Sequence, residues 1–261
     1  MSNASGKDRG SRRWLPSHRR MAVDIAIAAQ SVPSFPVVRT MQLGTVDAAR
    51  RDLPSRVGWT ALFVRAYSQI CSDTPELREL FVRWPTNYLY RHPEPVASIT
   101  VHRSDDQGNE RLIWGRMASP HQQSIHDIQS AIDGFAHHPI EAVFRDGLRL
   151  ESRPAVVRRA MWWILTQWSG RRRAKAVGTF TVSSLGQLGA LNGHHPLITT
   201  TSLAIGPILP DGSCDVALIC DHRAIDGALA AKVLQMLESK LQQWASRHAQ
   251  TTASSLERRA G

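Results

Sequence analysis

Apolar residues recur along nearly the whole chain, and their spacing alternates between the period of a helix and the period of a strand. The predicted helices cover residues 20–30, 45–51, 60–70, 124–135, 155–168 and 227–244. The predicted strands cover residues 35–41, 96–102, 111–115, 179–183, 204–209 and 215–220. This order predicts a mixed α and β protein whose second-half strands form an antiparallel or mixed sheet.

Local signals sharpen several of these boundaries. Thr45 and Thr60 each precede an apolar run and are predicted to cap the helix that follows. The polar segment from Asp105 to Asn109 is typical of a turn, which predicts that the strands on either side form a hairpin.

The two ends of the chain lack this apolar pattern. Residues 1–16 are basic and rich in Gly and Ser, and residues 248–261 are similarly polar, so both are predicted to be flexible. The chain of 261 residues then contains one globular domain, over residues 17–247, large enough to bury an extensive core.

Cysteine usage and the N-terminal sequence bear on the cellular compartment. Cys71, Cys214 and Cys220 are scattered and form no Cys-x-x-Cys pair, so the sequence predicts no zinc or dithiol site. Free thiols are typical of a reducing compartment, and no apolar signal segment follows Met1. We therefore expect a cytoplasmic protein without a membrane span.

The net charge of +10 comes almost entirely from arginine, which binds phosphate groups well. Charge of this kind suits a phosphate-bearing small molecule or a nucleic acid, and by itself does not choose between them. Residues 155–168 add a tryptophan-rich amphipathic helix followed by Arg171, Arg172 and Arg173. We interpret this segment as a helix packed on the core with a solvated basic end; the alternative is a membrane-surface or nucleic-acid contact.

The segment from Asp221 to Gly227 carries the clearest chemistry. It places His222 where an apolar strand ends, and a neutral imidazole held there suits a general base. Asp226 precedes a predicted helix, so it either caps that helix or fixes an arginine, while Gly227 allows the tight entry into the helix. A purely structural histidine remains the alternative for His222.

Two motifs in register give these residues a family context. The segment from Gly178 to Gly186 reads Gly-Thr-Phe-Thr-Val-Ser-Ser-Leu-Gly, and Asp-His-Arg-Ala-Ile-Asp-Gly-Ala follows about forty residues later. Together they resemble the C-terminal part of the dihydrolipoyl acyltransferases of 2-oxo acid dehydrogenase complexes. Weaker similarity, at Val32–Pro36 and at residues 60–77, extends the resemblance over residues 18–245.

The resemblance implies a fold. It is an α/β fold of the α+β two-layer sandwich type, similar to chloramphenicol acetyltransferase, with a mixed central sheet and helices packed on one face. Residues 17–247 then form an acyltransferase catalytic domain. The family assembles as trimers with the active site at the subunit interface, so a homotrimer is expected.

The resemblance also implies roles for individual residues. His222 corresponds to the histidine that deprotonates the acceptor, and Ser183 to the hydroxyl that stabilises the oxyanion. Asp226 corresponds to an aspartate that pairs with an early arginine, here Arg19 or Arg20.

The cofactor expectations follow in the same way. Ser184 and Thr201 are expected to contact the acyl-coenzyme A co-substrate, with acetyl-CoA the expected acyl donor. No metal is expected in the reaction.

Departures from the family concern the acceptor. None of the four lysines lies in an Asp-Lys-Ala turn, so we expect no lipoyl domain and no lipoyl group on this chain. Ser34 stands where the family has a histidine, and the segment 105–110 replaces a proline-rich approach to the channel.

Three hypotheses about function follow. The first is an acyl-CoA-dependent O-acyltransferase acting on a small hydroxylated metabolite, in a role such as natural-product tailoring of tetronate polyketides. The second is the core acyltransferase of a 2-oxo acid dehydrogenase complex, served by a lipoyl domain on another chain. The third is a non-catalytic binding protein with a basic surface; neither a membrane nor a nucleic-acid partner is expected for the enzyme.

Overall fold

The structure, a computed structural model, describes residues 11–105 and 108–260. Its helices and strands alternate along the chain as a mixed α and β protein. The helices are α1 (Ser17–Ala29), α2 (Gly44–Arg51), α3 (Trp59–Asp73), α4 (Ile125–His137), α5 (Ile140–Val143), α6 (Arg145–Glu151), α7 (Ala155–Gln167), α8 (Gly170–Val177) and α9 (Gly227–Ala260). The strands are β1 (Ser34–Gln42), β2 (Glu79–Val82), β3 (Tyr88–Arg91), β4 (Val96–Ser104), β5 (Glu110–Ala118), β6 (Phe180–Ser184), β7 (Thr201–Ile208) and β8 (Ser213–Asp221).

Six strands form one mixed sheet in the order β1-β8-β7-β6-β4-β5. β6 lies parallel to β4 and to β7, while the remaining neighbours are antiparallel. The predicted hairpin is confirmed, since β4 and β5 pair from Val96–Ala118 to Ser104–Glu110. Part of its turn, Asp106 and Gln107, lies outside the described residues. β2 and β3 form a separate two-stranded sheet that the sequence pattern did not predict.

One face of the six-stranded sheet carries the main core. Strand side chains such as Ile99, Val182 and Leu218 pack there against α2, α3, α4 and α9, and nearly all of them are fully buried. The opposite face is more polar and is covered in part by α1. The predicted two-layer architecture is therefore confirmed, with most of the apolar burial on one side of the sheet.

Several predicted boundaries differ from the structure. α3 begins at Trp59 with Gly58 preceding it, so Thr60 lies inside the helix; α2 likewise begins at Gly44, and Thr45 does not cap it. Ser124 does cap α4, accepting from the Asp127 amide while Asp127 accepts in return. α9 continues to Ala260, so the backbone after residue 247, expected to be a flexible tail, is helical.

The basic segment after α7 was interpreted as solvated, and for Arg173 this is wrong. Arg173 is 2% exposed and donates hydrogen bonds to the carbonyl oxygens of Ile198, at 2.7 Å, and Phe81, at 3.0 Å. Burial lowers the pKa of Arg173 to about 10, so the guanidinium remains charged at neutral pH. A buried cation here ties α8 to β2 and to the segment before β7.

No helix in the described ranges 11–105 and 108–260 is long and apolar enough to cross a membrane. The same part of the chain contains no cluster of three or more His, Cys, Asp or Glu residues that would hold a metal ion.

The three cysteines should be unreactive in the folded protein. Cys71, Cys214 and Cys220 are all buried, and burial raises the pKa of Cys214 to about 11 and that of Cys220 to about 12. Because the thiolate is the reactive species, we expect no reaction with DTNB at pH 8 in buffer and reaction of all 3 thiols per chain in guanidinium chloride. Rapid labelling of the native protein would contradict this packing.

A buried hydroxyl pair in the core gives a second prediction. The Tyr67 hydroxyl lies 2.7 Å from Thr201 Oγ1, and both side chains are fully buried between α3 and β7. Replacing Thr201 with Val removes this partner and leaves the phenol only the weaker contact with the Cys71 thiol, which should lower the free energy of unfolding by about 1 kcal/mol. Urea denaturation measures the change, and the double variant Tyr67→Phe/Thr201→Val should lose less than the sum of the two single variants.

Candidate active site

His222 follows β8 directly, in the turn that connects this strand to α9. Its backbone amide donates to the Pro33 carbonyl at 3.0 Å, and its ring packs against Phe35 with 4.7 Å between ring centroids. The backbone bond fixes the turn, and because Phe35 belongs to the neighbouring strand β1, the ring contact sets the imidazole against the sheet edge. The side chain is exposed on the single chain, so it is open to a substrate or to another subunit.

A buried carboxylate holds the loop that carries His222. Asp221 is 1% exposed and accepts hydrogen bonds from Arg223 Nε at 2.8 Å and Nη2 at 2.7 Å. The Arg223 guanidinium also lies over the Phe81 ring, 4.3 Å from its centroid. Buried Arg173 adds a second positive charge that interacts with Asp221. Both oxygens of the Asp221 carboxylate thus have a partner, and these bonds hold the turn that carries His222.

Asp226 serves as the N-cap of α9. Its Oδ1 accepts from the Leu229 amide at 2.7 Å, which satisfies one of the free amides of the first helical turn. Arg19 and Arg20 lie on α1 and form no ion pair with Asp226 among the described residues. Asp226 therefore does not pair with Arg19 or Arg20 within the chain. Of the two roles expected from the sequence, it has that of the helix cap. The ion pair that holds this loop is the one between Asp221 and Arg223, which sequence reasoning missed.

Ser183 and Ser184 are adjacent in β6 and so face opposite sides of the sheet. Ser183 lines a cavity of about 280 Å³ on the more polar face. Ser184 lines a cleft of about 1020 Å³ on the helical face, at the end of the sheet where β6 and β7 finish. Neighbouring residues thus reach two separate spaces.

The cleft beside Ser184 suits a long phosphate-bearing ligand. Arg56 lines it and makes no ion pair within the described residues, while the Arg50 guanidinium lies 5.2 Å from the centroid of Trp59. Gly186 forms part of its wall, and a Cβ there would lie 2.6 Å from the Gly206 carbonyl oxygen. Only glycine allows this approach between the turn after β6 and strand β7.

The Thr201 side chain lines neither the cavity beside Ser183 nor the cleft beside Ser184. Its hydroxyl is 2.7 Å from Tyr67 Oη in the core, and its residue is completely buried. The expected contact with coenzyme A is therefore wrong for Thr201, because the side chain points to the helical core. Ser184, by contrast, lies on an accessible cleft.

Sequence reasoning also missed a histidine pair between β6 and β7. His195 lines the same cavity as Ser183, and its Nε2 lies 2.8 Å from Ser202 Oγ. His194 points elsewhere and lies 3.0 Å from Ser34 Oγ. The signal in the sequence was Asn192-Gly-His-His-Pro196, two histidines in a short segment of turn-forming residues.

Within one chain, His222 and Ser183 are far apart. Ser183 pairs with Ala204, and Ala204 pairs with Ala217 on β8. Two strand spacings give about 10 Å across the sheet, and the rise from Ala217 to His222 adds about 16 Å along it, so the separation is roughly 19 Å. One copy of the chain cannot bring both side chains to one reacting carbonyl.

Comparison with known proteins bears on the fold. No protein-family model matches the chain, and no curated protein matches it in sequence. Solved structures do match over nearly its whole length. A dihydrolipoamide acetyltransferase from Azotobacter vinelandii, studied for the role of a serine, a histidine and an asparagine in its catalytic mechanism, has a TM-score of 0.65 at 17% identity, covering 94% of this chain and 98% of that one.

Two further solved structures match the chain over most of its length. A probable dihydrolipoamide acetyltransferase from Listeria monocytogenes has a TM-score of 0.63 at 18% identity, covering 90% of this chain and 95% of that one. A truncated catalytic core of the 2-oxoacid dehydrogenase multienzyme complex from Thermoplasma acidophilum has a TM-score of 0.62 at 19% identity, covering 89% and 98%. The chain therefore has the fold of the dihydrolipoamide acetyltransferase catalytic domains, over almost their full length.

Proposed function

We propose that the protein is an acyl-CoA-dependent acyltransferase that transfers an acyl group, with acetyl-CoA as donor, to a hydroxyl of a small molecule. The observation that carries this proposal is His222, an accessible imidazole held at the end of β8 by Phe35, the Pro33 carbonyl and the paired Asp221. A rigidly held, accessible imidazole suits proton transfer in an acyl-transfer reaction.

The proposed reaction is a direct transfer. His222 takes the proton of the acceptor hydroxyl as its oxygen attacks the thioester carbonyl carbon. The tetrahedral intermediate then collapses, the C–S bond breaks, and the imidazolium returns its proton to the coenzyme A sulfur. The acceptor gains the ester, coenzyme A leaves as the free thiol, and the enzyme ends in its starting protonation state.

Ser183 is the proposed donor to the oxyanion of the intermediate. Among the described residues its hydroxyl makes no hydrogen bond, so it is free to donate. A single donor of this kind is worth about 3 kcal/mol of barrier. Because Ser183 lies roughly 19 Å from His222 of the same chain, the proposal requires His222 of one subunit to meet Ser183 of the next in a cyclic homotrimer.

Coenzyme A is placed in the cleft that contains Ser184. Arg56 is available there for a phosphate group, and the half-buried Trp59 ring lines the cleft as an aromatic surface for the adenine ring. This keeps the expectation for Ser184, and it requires the thioester end of coenzyme A to pass the end of β6 to reach Ser183 on the opposite face of the sheet.

A second candidate is favoured by the similar solved structures, which are a dihydrolipoamide acetyltransferase, a probable dihydrolipoamide acetyltransferase and a catalytic core of a 2-oxoacid dehydrogenase multienzyme complex. In that case the acceptor or donor is a dihydrolipoyl group carried by another chain. A comparison of 3-phenylpropan-1-ol with dihydrolipoamide as acceptors of the acetyl group separates the two candidates, since turnover with the alcohol favours the first and turnover with dihydrolipoamide the second. The size of the assembly also separates them. A trimer favours the first candidate, and a larger cage favours the second.

The His222→Ala variant tests the general base. We expect acetyl-CoA-dependent turnover to fall about 100- to 10,000-fold, because the acceptor proton has no recipient. Loss of the thioester absorbance measures turnover, and size-exclusion chromatography with light scattering should show an unchanged assembly. His102→Ala is the matched control, since His102 is an exposed histidine on β4 whose side chain pairs with Glu110, on the neighbouring strand β5. Retained turnover in His222→Ala would remove His222 from its role.

Mixed oligomers test the shared site. His222→Ala and Ser183→Ala are each expected to be nearly inactive as pure proteins. After co-refolding at equal amounts, about one quarter of the interfaces in a cyclic trimer should join an intact His222 to an intact Ser183. Turnover should therefore recover to about one quarter of the wild-type rate. If the mixture is as inactive as its components, the two side chains do not meet across an interface.

A further inference from the structure

Helix α7 presents apolar side chains to the solvent. Its inner side packs on α1, where Arg158 Nε donates to the Asp24 carboxylate at 2.6 Å, and Trp162 on the same side is 4% exposed. Residues at helical spacing share the opposite, outer side, and all of them are exposed. They are Val156, Val157, Ala160, Met161, Trp163 and Ile164. A surface helix ordinarily turns its polar residues outward, and here the outward residues are apolar.

The exposed apolar surface continues from α7 onto residues 83–87, which connect β2 and β3. The Trp168 ring, directly after α7, lies 6.4 Å from the Trp163 ring and 6.0 Å from the Trp84 ring, measured between ring centroids. The Trp84 amide donates to the Gln167 carbonyl at 2.9 Å, so the β2–β3 connection is fixed to the end of the helix. We call the whole surface the tryptophan face; it comprises Trp84, Val156, Val157, Ala160, Met161, Trp163, Ile164 and Trp168.

The continuity of the tryptophan face distinguishes it from scattered exposed side chains. Its three tryptophans are each about half exposed, and Val156 is 80% exposed. Single exposed apolar residues are normal on a soluble protein, whereas a contiguous patch of them marks a contact surface. The tryptophan face is therefore expected to be covered when the protein works.

Basic side chains surround the tryptophan face. Residues 152–178 contain no Asp or Glu. The exposed charged side chains of this stretch and of the β2–β3 connection are Arg83, Arg153, Arg159, Arg171, Arg172 and Lys175. None of them forms an ion pair with another described residue. Their positive charge is therefore available to an anionic partner.

A cleft of about 620 Å³ opens at the edge of the tryptophan face, between α7, α1 and the β2–β3 connection. Arg83 and Arg159 line it together with Trp84 and Trp163. Of its described lining residues only Asp24 is acidic, and that carboxylate is already held in the ion pair with α7. Guanidinium groups bind phosphate oxygens by paired hydrogen bonds, so the two arginines suit a phosphate group at the border of the apolar surface.

The charge and composition of this surface match an anionic phospholipid bilayer. Tryptophan prefers the headgroup region of a bilayer, because its ring is apolar and its N–H is polar. A helix with aromatic and aliphatic side chains on one side and arginine at the border lies in that region, parallel to the membrane. A second copy of the chain is disfavoured as the partner, since each copy has a net charge of +10 and a basic border around this face.

We propose that the tryptophan face docks the protein on the surface of an anionic phospholipid membrane. In this arrangement Trp163 and Ile164 lie at the boundary of the acyl chains, while Arg83 and Arg159 bind lipid phosphates. Both interpretations of residues 155–168 drawn from the sequence then apply, core packing to the inner side of α7 and a membrane-surface contact to its outer side. Membrane docking is independent of the proposed acyl transfer, because the tryptophan face contains none of the residues placed in that reaction.

Vesicles of two compositions test the docking of the full chain. One is pure phosphatidylcholine, and the other contains about one third phosphatidylglycerol, which gives it a negative surface potential. In a flotation assay we expect binding to the anionic vesicles to be at least about tenfold tighter than to the neutral ones, since each arginine near an anionic surface adds attraction. High salt should weaken this binding by screening. No binding to the anionic vesicles, or equal binding to both, overturns the proposal.

The apolar part of the face is tested by Val156→Ser/Ile164→Ser. We expect this double variant to bind anionic vesicles at least about tenfold more weakly, because two aliphatic side chains no longer leave water on docking. The matched control is Val38→Ser/Leu209→Ser, which makes equivalent changes at side chains that are 54% and 49% exposed on other parts of the fold. The control should bind as the wild type does, and equal weakening in both double variants would contradict docking by this face.

The basic part is tested by Arg83→Gln/Arg159→Gln. Binding to anionic vesicles should weaken about tenfold or more, and its dependence on salt should decrease. Arg51→Gln/Arg247→Gln removes the same charge from exposed positions outside the face and is the matched control. If the control weakens binding as much, only the net charge matters and the proposed phosphate contacts are wrong.

Two outcomes would assign the tryptophan face to another partner. Val156→Ser/Ile164→Ser should leave the size of the assembly unchanged by light scattering without lipid; a smaller assembly would show that the face lies between copies of the chain. Weaker vesicle binding in the arginine variant alone, with none in the apolar variant, would indicate a purely electrostatic contact such as a nucleic acid makes. Either result overturns membrane docking, and thermal unfolding confirms that each variant remains folded.

Discussion

The pairing of β6, β7 and β8 is the constraint on which the proposed chemistry depends. Backbone hydrogen bonds fix Ser183 opposite Ala204, and Ala204 opposite Ala217, so the position of Ser183 relative to the end of β8 cannot adjust. A register of this kind is rigid, because a slip by one residue would turn every buried side chain of the strand to the other face. His222 and Ser183 therefore act together only if a second copy of the chain supplies one of them.

The end of β8 is stabilised by charge as well as by the sheet. Asp221 is buried, and it is paired with Arg223 and lies near the buried guanidinium of Arg173. Removing one member of such a group leaves an unpaired buried charge, which is far more costly than the intact group is stabilising. Arg173 also binds carbonyl oxygens of β2 and of the segment before β7. The histidine loop is thus connected to parts of the chain that are distant in sequence.

The sequence predicted the main helices and the sheet strands well, because their apolar spacing is regular and their burial is one-sided. It did not predict β2, β3 or α8, which are short and are held by tertiary contacts such as those of Arg173. Among the site residues, the strand-end position of His222 was readable, since an apolar run leads directly into it. The core location of Thr201 was not, because only the fold shows that Tyr67 meets its hydroxyl. The partner of Asp221 was equally hidden, although Arg223 is two positions away, since its bond depends on how the turn after β8 folds.

The two neighbouring serines of β6 show that the number of residues in this strand decides which side of the sheet each hydroxyl faces. Ser183 and Ser184 carry the same functional group and differ only in the side of the sheet they face. Loss of one residue upstream in β6 would exchange their positions and keep a hydroxyl on each side, yet it would also turn Val182 out of the core. A point substitution in β6 can therefore change the cavity beside Ser183 or the cleft beside Ser184 independently. An insertion or deletion in this strand instead disrupts the packing of the core. Within β6, changes in the lining of the two spaces are therefore limited to side-chain replacement, whereas changes of length are tolerated in the loops beyond the strand.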